Sequence, residues 1–215
     1  ANEEAVTAFL DNKIGFPQAR NIALQNSKAE WIAIIDHDDL CHKNRLINQV
    51  SEIKKNNDCK LFFGDVDKFD EQGNINTKFK SEYSHNFSPR NFDLKNGSAY
   101  NKLIQYGCFI CSSSVIFNKN VANEIGCFDE SYKFISDFIF FLKFSETFNI
   151  YCSDKIISKW RSHSSQASSI MSFISFKELN RLYFSLYFQK KIGFMLKKDV
   201  FLKQIKLIIH YFLKK

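Results

Sequence analysis

The stretch Trp31-Ile32-Ala33-Ile34-Ile35-Asp36-His37-Asp38-Asp39 decides how we expect this chain to fold. Residues 32–35 contain no polar member, and three acids and a histidine follow them at once. Such a run predicts a strand over 31–36 that is buried on both faces, like a central strand of a parallel sheet. Ligands of open α/β sheets bind just beyond the carboxyl ends of the strands. The pattern therefore predicts a site at Asp36 and Asp38.

Asp36 and Asp38 are separated by a single residue, so two carboxylates follow one strand end. They can hold a hard divalent cation through oxygen, and such an ion often binds substrate phosphates as well. The alternative is a solvated turn after a strand. The two aspartates by themselves do not separate these interpretations.

The composition allows one large domain, or a domain with an appendage, because 45% of the 215 residues are hydrophobic. The formal charge of +7 is unevenly distributed. Residues 171–215 carry ten Lys or Arg and two acids, whereas residues 1–170 carry twenty and twenty-one. We expect a core over 1–170 and a basic, amphipathic helical tail over 171–215. A nearly neutral core argues against a nucleic-acid partner.

The basic tail has two interpretations. It forms either an interfacial helix in peripheral contact with anionic lipid, or a helical lid packed on the core with its lysine face in water. The sequence shows neither a signal peptide nor an apolar run of about 18 residues. We therefore expect a soluble, cytoplasmic chain, located at the inner face of the plasma membrane if the first interpretation holds.

The chain has six cysteines, and two of them, Cys108 and Cys111, formally make a CxxC pair. The pair lies in an apolar run, and no second CxxC completes a zinc site. Free cysteine is among the most buried residue types, so we expect buried free thiols here rather than a metal or redox pair.

Hydrophobic periodicity and turn residues predict an alternating α/β order. Strands are predicted over 5–10, 31–36, 60–66, 75–79, 108–117, 149–153 and 155–161. Helices are predicted from Pro17 to Ser27, over 43–55, from the Asn118 cap to 125, over 136–147, and from 172 onward with a break at Gly193. A long surface loop is predicted over 81–100.

Arg20 and Asn21 lie early in the first predicted helix, next to the loop that precedes it. Backbone N–H groups and a guanidinium at such a place can bind an anion. A solvated arginine and a capping asparagine are the alternative, which the local pattern leaves open.

Five stretches follow one another in an order that resembles a known family. Asn12–Asn21 ends in Ala-Arg-Asn, Trp31–Asp39 ends in Asp-x-Asp-Asp, and Ser113–Glu130 ends in Gly-Cys-Phe-Asp-Glu. Ser136-Asp137-Phe138 and Trp160-Arg161-Ser162-His163 come next. These stretches are similar to the Ala-Arg-Asn loop, Asp-x-Asp-Asp strand, Gly-Gly-Phe-Asp-Glu, Glu-Asp-aromatic and Tyr-Arg-x-His motifs of family 2 glycosyltransferases.

The resemblance spans residues 12–168 and implies a GT-A fold, a Rossmann-like mixed α/β sheet flanked by helices, with a C-terminal helical tail. The family begins with a strand, a helix and a strand that ends in an Asp-Asp-Gly-Ser-like motif, and this sequence contains no such segment. We therefore expect a fold truncated at its N-terminus. Ser136 also replaces the usual glutamate.

The resemblance implies a metal-dependent, inverting transfer of a sugar from a nucleoside-diphosphate donor to an acceptor hydroxyl. The donor would be linked to UDP or dTDP, and the acceptor would be a glycan or lipid-linked molecule of cell-envelope polysaccharide or lipopolysaccharide synthesis. The implied cofactor is Mn²⁺ or Mg²⁺, which stabilises the charge of the leaving diphosphate as a Lewis acid.

The resemblance also implies residue roles. Asp137 corresponds to the general base, and Asp38 and His163 to the metal ligands. The donor is implied to contact the residues Gly15, Arg20, Asn21, Asp36 and Asp38. His37 and Asp39 are expected to be structural.

Two other functions remain open. The chain could be a non-catalytic, truncated remnant that binds metal or glycan weakly, since the nucleotide-binding segment is missing from it. A metal-dependent phosphohydrolase is less favoured, because the chain lacks the several scattered acids and histidines of a two-metal site.

Overall fold

The computed structural model describes residues 3–76, 89, 93–163, 173–189 and 192–213. Six strands lie in these ranges: β1 (Trp31–Ala33), β2 (Leu40–Cys41), β3 (Cys59–Phe69), β4 (Ile75–Asn76), β5 (Ile116–Asn118) and β6 (Asn149–Arg161). The helices are α1 (Glu3–Leu10), α2 (Phe16–Asn26), α3 (Arg45–Lys55), α4 (Ser98–Tyr106), α5 (Lys119–Glu124), α6 (Ser136–Thr147), α7 (Phe173–Phe188) and α8 (Phe194–Leu213). A 3₁₀ turn over Ser112–Ser114 precedes β5.

The strands form one mixed sheet in the order β1-β5-β3-β6-β2, with β4 paired to the end of β3. β3 and β6 are parallel, and the other described pairs are antiparallel. The register between β3 and β6 shifts near Gly64. Glycine fits this position because an added Cβ would overlap Ile157 and approach the Lys155 carbonyl to 2.9 Å. The mixed α/β sheet predicted for the GT-A fold is confirmed.

The prediction that the stretch at 31–36 forms a buried central strand is wrong. β1 is three residues long and pairs antiparallel with β5 at the edge of the sheet. Ala33 is exposed, and Ile35 is 44% exposed. An apolar run shows that a segment can be buried, whereas burial on both faces also needs neighbouring elements, and β1 has a single strand partner among the described residues.

Three further sequence predictions are corrected. Residues 5–10 are helical, in keeping with the helix-forming Glu, Ala and Leu of α1. Within 108–117, only residues 116 and 117 lie in a strand, because the serines turn the chain just before β5. The strands predicted at 149–153 and 155–161 are one continuous strand, β6.

Other predictions hold to within a few residues. The helices predicted at 17–27, 43–55, 118–125 and 136–147 are α2, α3, α5 and α6. The predicted cap of α5 is confirmed, since Asn118 Oδ1 accepts hydrogen bonds from the N–H groups of Asn120 and Val121.

Parts of some predicted segments cannot be compared with the structure. Residues 77–79 of one predicted strand and 81–88 and 90–92 of the predicted loop lie outside the described residues, as does the boundary at 170. The predicted loop is too long at its C-terminal end, because α4 already begins at Ser98.

The core is built around phenylalanines of α6. Phe140 is fully buried, stacks on Phe128 with ring centroids 4.4 Å apart, and meets the edge of Phe117 at 5.0 Å. Such aromatic pairs stabilise a fold beyond the area they bury. Leu186 of α7 and Val200 of α8 belong to the same buried cluster. The tail helices thus pack on the core.

The inward face of α3 is polar. Leu46 and Val50, which have helical spacing, are exposed, whereas Arg45 and Gln49 are almost fully buried. Arg45 Nη2 donates to the carbonyls of Ile34 (2.7 Å) and Val115 (2.9 Å), and Gln49 Nε2 donates to the carbonyl of Ser114 (2.8 Å). A buried guanidinium is tolerated when its donors are satisfied. α3 therefore fixes the loop that follows β1 and the turn that precedes β5.

The six cysteines are free thiols. Cys108 and Cys111 are half-buried, and burial raises the pKa of Cys108 to about 12. These thiols therefore stay protonated at neutral pH, which is typical of inert structural cysteines.

Candidate active site

One guanidinium lies between two carboxylates from distant parts of the chain. Arg20 of α2 donates from Nη2 to Asp36 Oδ1 at 2.6 Å, and its Nη1 lies 3.3 Å from Asp137 Oδ1. Asp36 belongs to the loop after β1, and Asp137 to the first turn of α6. The Arg20 side chain is 12% exposed, whereas both carboxylates are 30% exposed. The structure thus brings these three predicted site residues together, and both acids keep partial exposure to solvent.

Arg20 is held in place by aromatic rings. Its guanidinium carbon lies 4.2 Å from the ring centroid of Phe16 and 5.4 Å from that of Phe128. Cations over aromatic faces are attracted by the ring quadrupole, more strongly where water is excluded. Aromatic residues of α2 and of the turn before α6 therefore help to fix the guanidinium.

Three serines that the sequence analysis did not single out connect the cluster. Ser112 Oγ donates to Asp137 Oδ2 at 2.5 Å, and Ser113 Oγ accepts from the backbone N–H of Asp36 at 2.9 Å. Ser114 Oγ accepts from the N–H of Gly64 in β3 at 3.4 Å. Three consecutive small hydroxyls inside an apolar run were the signal in the sequence, because such groups need partners when they are buried.

The two carboxylates of the cluster have opposite pKa shifts. Burial raises the pKa of Asp36 above its ordinary value, Arg20 opposes that rise, and the charges of Asp137 and Asp38 add to it. Burial acts in the same direction on Asp137, but the Arg20 charge and the Ser112 hydrogen bond outweigh it and lower its pKa. Asp137 is therefore the carboxylate that is more firmly ionised.

Asp38 and His163 form the second pair that the structure brings together. His163 Nε2 lies 3.0 Å from Asp38 Oδ2, and both side chains are partly exposed. Burial acts to raise the pKa of Asp38, but hydrogen bonds from His163 and from its own backbone N–H lower it.

Buried Asp39 fixes the geometry of that pair. Its Oδ1 accepts from the N–H of Arg161 at 2.8 Å, and Arg161 Nε donates to the Asp38 carbonyl at 2.9 Å. The end of β6, which carries His163 two residues on, is thereby held against the acidic loop.

The donor set of Asp38 and His163 fits a divalent ion. His163 Nε2 and Asp38 Oδ2 are a nitrogen and an oxygen of the kinds that such an ion accepts. Their 3.0 Å separation is that of the hydrogen bond between them, which a bound ion would replace. In the described part of the chain, no group of three or more His, Cys, Asp or Glu side chains is arranged around one point. The remaining ligands would come from water and substrate phosphates, as is usual for Mg²⁺. Imidazole also suits Mn²⁺.

Asn21 does not face the cluster. Its Nδ2 donates to the Phe128 carbonyl (2.8 Å) and to Glu130 Oε1 (2.9 Å), and its Oδ1 accepts from the Phe128 N–H (2.9 Å). Since its amide is bound to protein groups on both sides, Asn21 fixes the turn before α6. Its expected contact with a donor stays a prediction.

Gly15 precedes the first turn of α2 and is exposed. Its φ of −79° is open to any residue, and an added Cβ would meet Pro17 Cδ at 3.8 Å. Neither the backbone nor the packing demands glycine at this position. Its expected contact with a donor stays a prediction.

A family comparison covers the segment that holds most of this site. The sequence model described as Glycosyl transferase family 2 matches residues 7–125, which is more than half of the chain.

Curated relatives match parts of the chain that differ in length. An uncharacterized glycosyltransferase of Rickettsia typhi is 26% identical over 168 residues, which are 77% of this chain and 50% of that protein. One from Methanocaldococcus jannaschii is 37% identical over 76 residues, which are 34% of this chain and 26% of that protein. The chain spans about half the length of the first relatives it matches.

Among solved structures, S. aureus TarS residues 1–349 in complex with UDP-GlcNAc superposes with a TM-score of 0.57 at 16% identity. The superposition covers 90% of this chain and 52% of that one. At this level of identity the likeness concerns the fold.

Replacing Arg20 with Met leaves Asp36 and Asp137 without the cation between them. We expect the free energy of unfolding at pH 7 to fall by about 2 kcal/mol, the size of a hydrogen bond to a charged group. Both carboxyl pKa values rise in the variant. The penalty should therefore shrink as the pH falls toward 3.8, the ordinary aspartate value, where protonation removes the charge that Arg20 balanced. Urea unfolding at several pH values measures this difference.

The matched control is Lys13→Met, which removes an exposed ion pair with Asp11 on the same segment. Its effect should stay within about 0.5 kcal/mol. An Arg20→Met penalty that is constant with pH, or that grows on acidification, would contradict the assignment.

Proposed function

The chain belongs to glycosyl transferase family 2, and on that basis we propose that it moves a sugar from a nucleoside-diphosphate sugar to an acceptor hydroxyl, with inversion at the anomeric carbon. The observation that carries the proposal is the Arg20 guanidinium, which contacts both Asp36 and Asp137 where these acids are partly exposed. The pKa of Asp36 responds to the charge of Asp38, so the metal-binding pair belongs to the same electrostatic neighbourhood.

On the donor side, Arg20 and Asp36 contact the sugar nucleotide, and Gly15 lets it approach the start of α2. Arg20 offsets the negative charge of the two acids, which would otherwise repel a diphosphate. Asp38 and His163 hold Mn²⁺ or Mg²⁺. When bound, such an ion stabilises the charge that develops on the departing diphosphate.

On the acceptor side, Asp137 is the general base. Ser112 and Arg20 hold its carboxylate, and it keeps partial exposure to solvent. A carboxylate of lowered pKa is a weak base, but the acceptor hydroxyl becomes acidic late, as its bond to the anomeric carbon forms. The proton passes to Asp137 while the diphosphate leaves. A single base with direct displacement inverts the anomeric centre, by the logic of inverting glycosidases.

The donor class is a UDP- or dTDP-linked sugar, and the acceptor class is a glycan or lipid-linked molecule of the cell envelope. Binding of UDP-GlcNAc by a protein of similar fold supports a nucleotide-sugar donor.

The donor site is tested by titration calorimetry of UDP with Mn²⁺. We expect heat that requires the metal, and we expect Asp38→Ala and His163→Ala to abolish it, because each removes one of two protein ligands. Asp70→Ala, in an exposed turn, is the matched control and should retain the heat.

Metal-dependent heat that is unchanged in both variants would refute these ligands. Heat that is absent from this chain and restored when upstream sequence is added would show that the donor site needs residues outside this chain.

The base is tested in the full-length gene product. Asp137→Asn should lower kcat by about 10² to 10⁴-fold, the usual contribution of general base catalysis, while UDP–Mn²⁺ affinity is retained. Glu146→Gln, on the exposed last turn of the same helix, should leave kcat unchanged. Turnover that survives Asp137→Asn would exclude Asp137 as the base.

We also propose that the tail contacts an anionic membrane surface. One side of α8 packs on the core through Val200 and Leu207. The other side exposes large apolar groups: Phe194, Met195, Phe201, Leu202, Ile209 and Leu213. No described helix has the length and apolarity to cross a bilayer. An exposed apolar face on a basic segment is typical of helices that lie in the membrane interface.

Vesicle sedimentation tests this contact. Binding should rise with anionic lipid content and fall with salt, since each Lys near the surface contributes about 1 kcal/mol. Phe194→Ser with Met195→Ser, at the two most exposed apolar positions, should weaken it. Val6→Ser with Leu10→Ser, exposed apolar positions of α1, is the control. Equal binding to neutral vesicles, or equal loss in both double variants, would contradict the proposal.

A further inference from the structure

A buried carboxylate of the tail binds the backbone just before the helix that carries Asp137. Glu178 of α7 is 7% exposed. Its Oε1 accepts from the N–H of Lys133 at 2.7 Å, and its Oε2 accepts from the N–H groups of Phe134 (2.9 Å) and Ile135 (3.2 Å).

The three N–H groups are those that lead into α6. Ile135 is the N-cap residue of α6, and its side chain cannot accept a hydrogen bond. Helix starts lacking a polar cap leave N–H groups unpaired, and the helix dipole favours a negative charge there. Glu178 binds the N–H of this N-cap residue and of the two residues before it, so it fixes the backbone that enters α6. A local capping side chain would instead accept from the N–H of the second or third helical residue. Hydrogen bonds to a charged acceptor are about twice as strong as neutral ones.

A second side chain of α7 binds the same segment further upstream. Arg181 Nη2 donates to the carbonyl and the Oγ of Ser131, and its guanidinium carbon lies 3.8 Å from the ring centroid of Tyr132. Arg181 thus binds the segment at Ser131 and Tyr132, whereas Glu178 binds the three residues 133–135 that lead directly into the helix of Asp137.

Asp137 is thus fixed from two directions. Ser112 and Arg20 bind its carboxylate, and Glu178 binds the backbone from which its helix starts. The first pair sets the orientation of the carboxylate, whereas the second sets where the first turn of α6 lies. A displacement of about 1 Å at a reacting group can cost about 10²-fold in rate.

We propose that Glu178 is a positioning residue for the acceptor-activating carboxylate of Asp137. This inference rests on the proposed function of Asp137. Glu178 touches neither substrate nor the reacting atoms. It acts through the backbone of 133–135, so its loss affects the step in which the acceptor hydroxyl is deprotonated and spares donor binding.

The test compares Glu178→Gln with the parent in the full-length protein. Glutamine keeps the size of the side chain but turns one acceptor into a donor that faces an N–H group. We expect faster hydrogen exchange at the amides of 133–135, a fall in kcat of about tenfold, and unchanged affinity for UDP with Mn²⁺. Glu178→Asp keeps the charge on a shorter side chain, and we expect kcat to lie between those of the parent and Glu178→Gln.

Arg181→Met is the matched control. It removes the contact of the same helix with Ser131 but leaves the three hydrogen bonds of Glu178 in place. At comparable thermal stability, kcat of Arg181→Met should stay near that of the parent. If Glu178→Gln lowers kcat no more than Arg181→Met does, or lowers donor affinity to the same extent as kcat, the positioning role is overturned.

The outcomes separate this inference from the proposed function. Turnover that survives Asp137→Asn shows that the base assignment fails, whatever Glu178 does. Turnover lost in Asp137→Asn but retained in Glu178→Gln leaves the base in place and refutes the positioning role. If Glu178→Gln does not fold, Glu178→Asp and the exchange rates at 133–135 decide.

Discussion

The rest of the site depends on one shared cation. Asp36 and Asp137 are 101 positions apart in the sequence, and both approach the guanidinium of Arg20. Two carboxylates in a half-buried place repel each other, so without this charge one of them would take up a proton or move away. The ion triad therefore requires α2, the loop after β1 and the start of α6 to meet at one point. That requirement explains why so many buried polar contacts converge on those three segments.

The supporting contacts come from elements that carry no acid of the site. Arg45 of α3 holds the backbone where β1 ends, and Gln49 holds the serine turn. Because Arg45 and Gln49 donate to main-chain carbonyls, they fix the position of the backbone as well as that of the side chains it carries. Asn21 does the same for Phe128, whose ring in turn contacts Arg20. The backbone of the site is thus fixed by side chains from neighbouring helices, so its acids are held near their partners.

The order of the family's motifs was enough to select the residues of the triad and the residues of the Asp38–His163 pair, because motif order within a family reflects a shared fold. It failed where the outcome depends on a neighbour that local pattern does not contain. The apolar run before Asp36 predicted a central strand, but burial also depends on what packs beside it, and β1 is at an edge. On α3 the apolar residues at helical spacing are exposed, whereas the polar face is buried because it binds main-chain carbonyls. Glu178 gave no signal, because its partners are backbone groups some forty residues upstream.

The serine turn places a particular limit on how this sequence can change. A 3₁₀ turn has three residues per turn, so its consecutive side chains project about 120° apart. This is why Ser112, Ser113 and Ser114 can reach three different elements from adjacent positions. Inserting or deleting one residue there would rotate every hydroxyl onto its neighbour's direction and exchange all three partners at once. The length of this short segment is therefore under stronger constraint than the identity of any single residue in it.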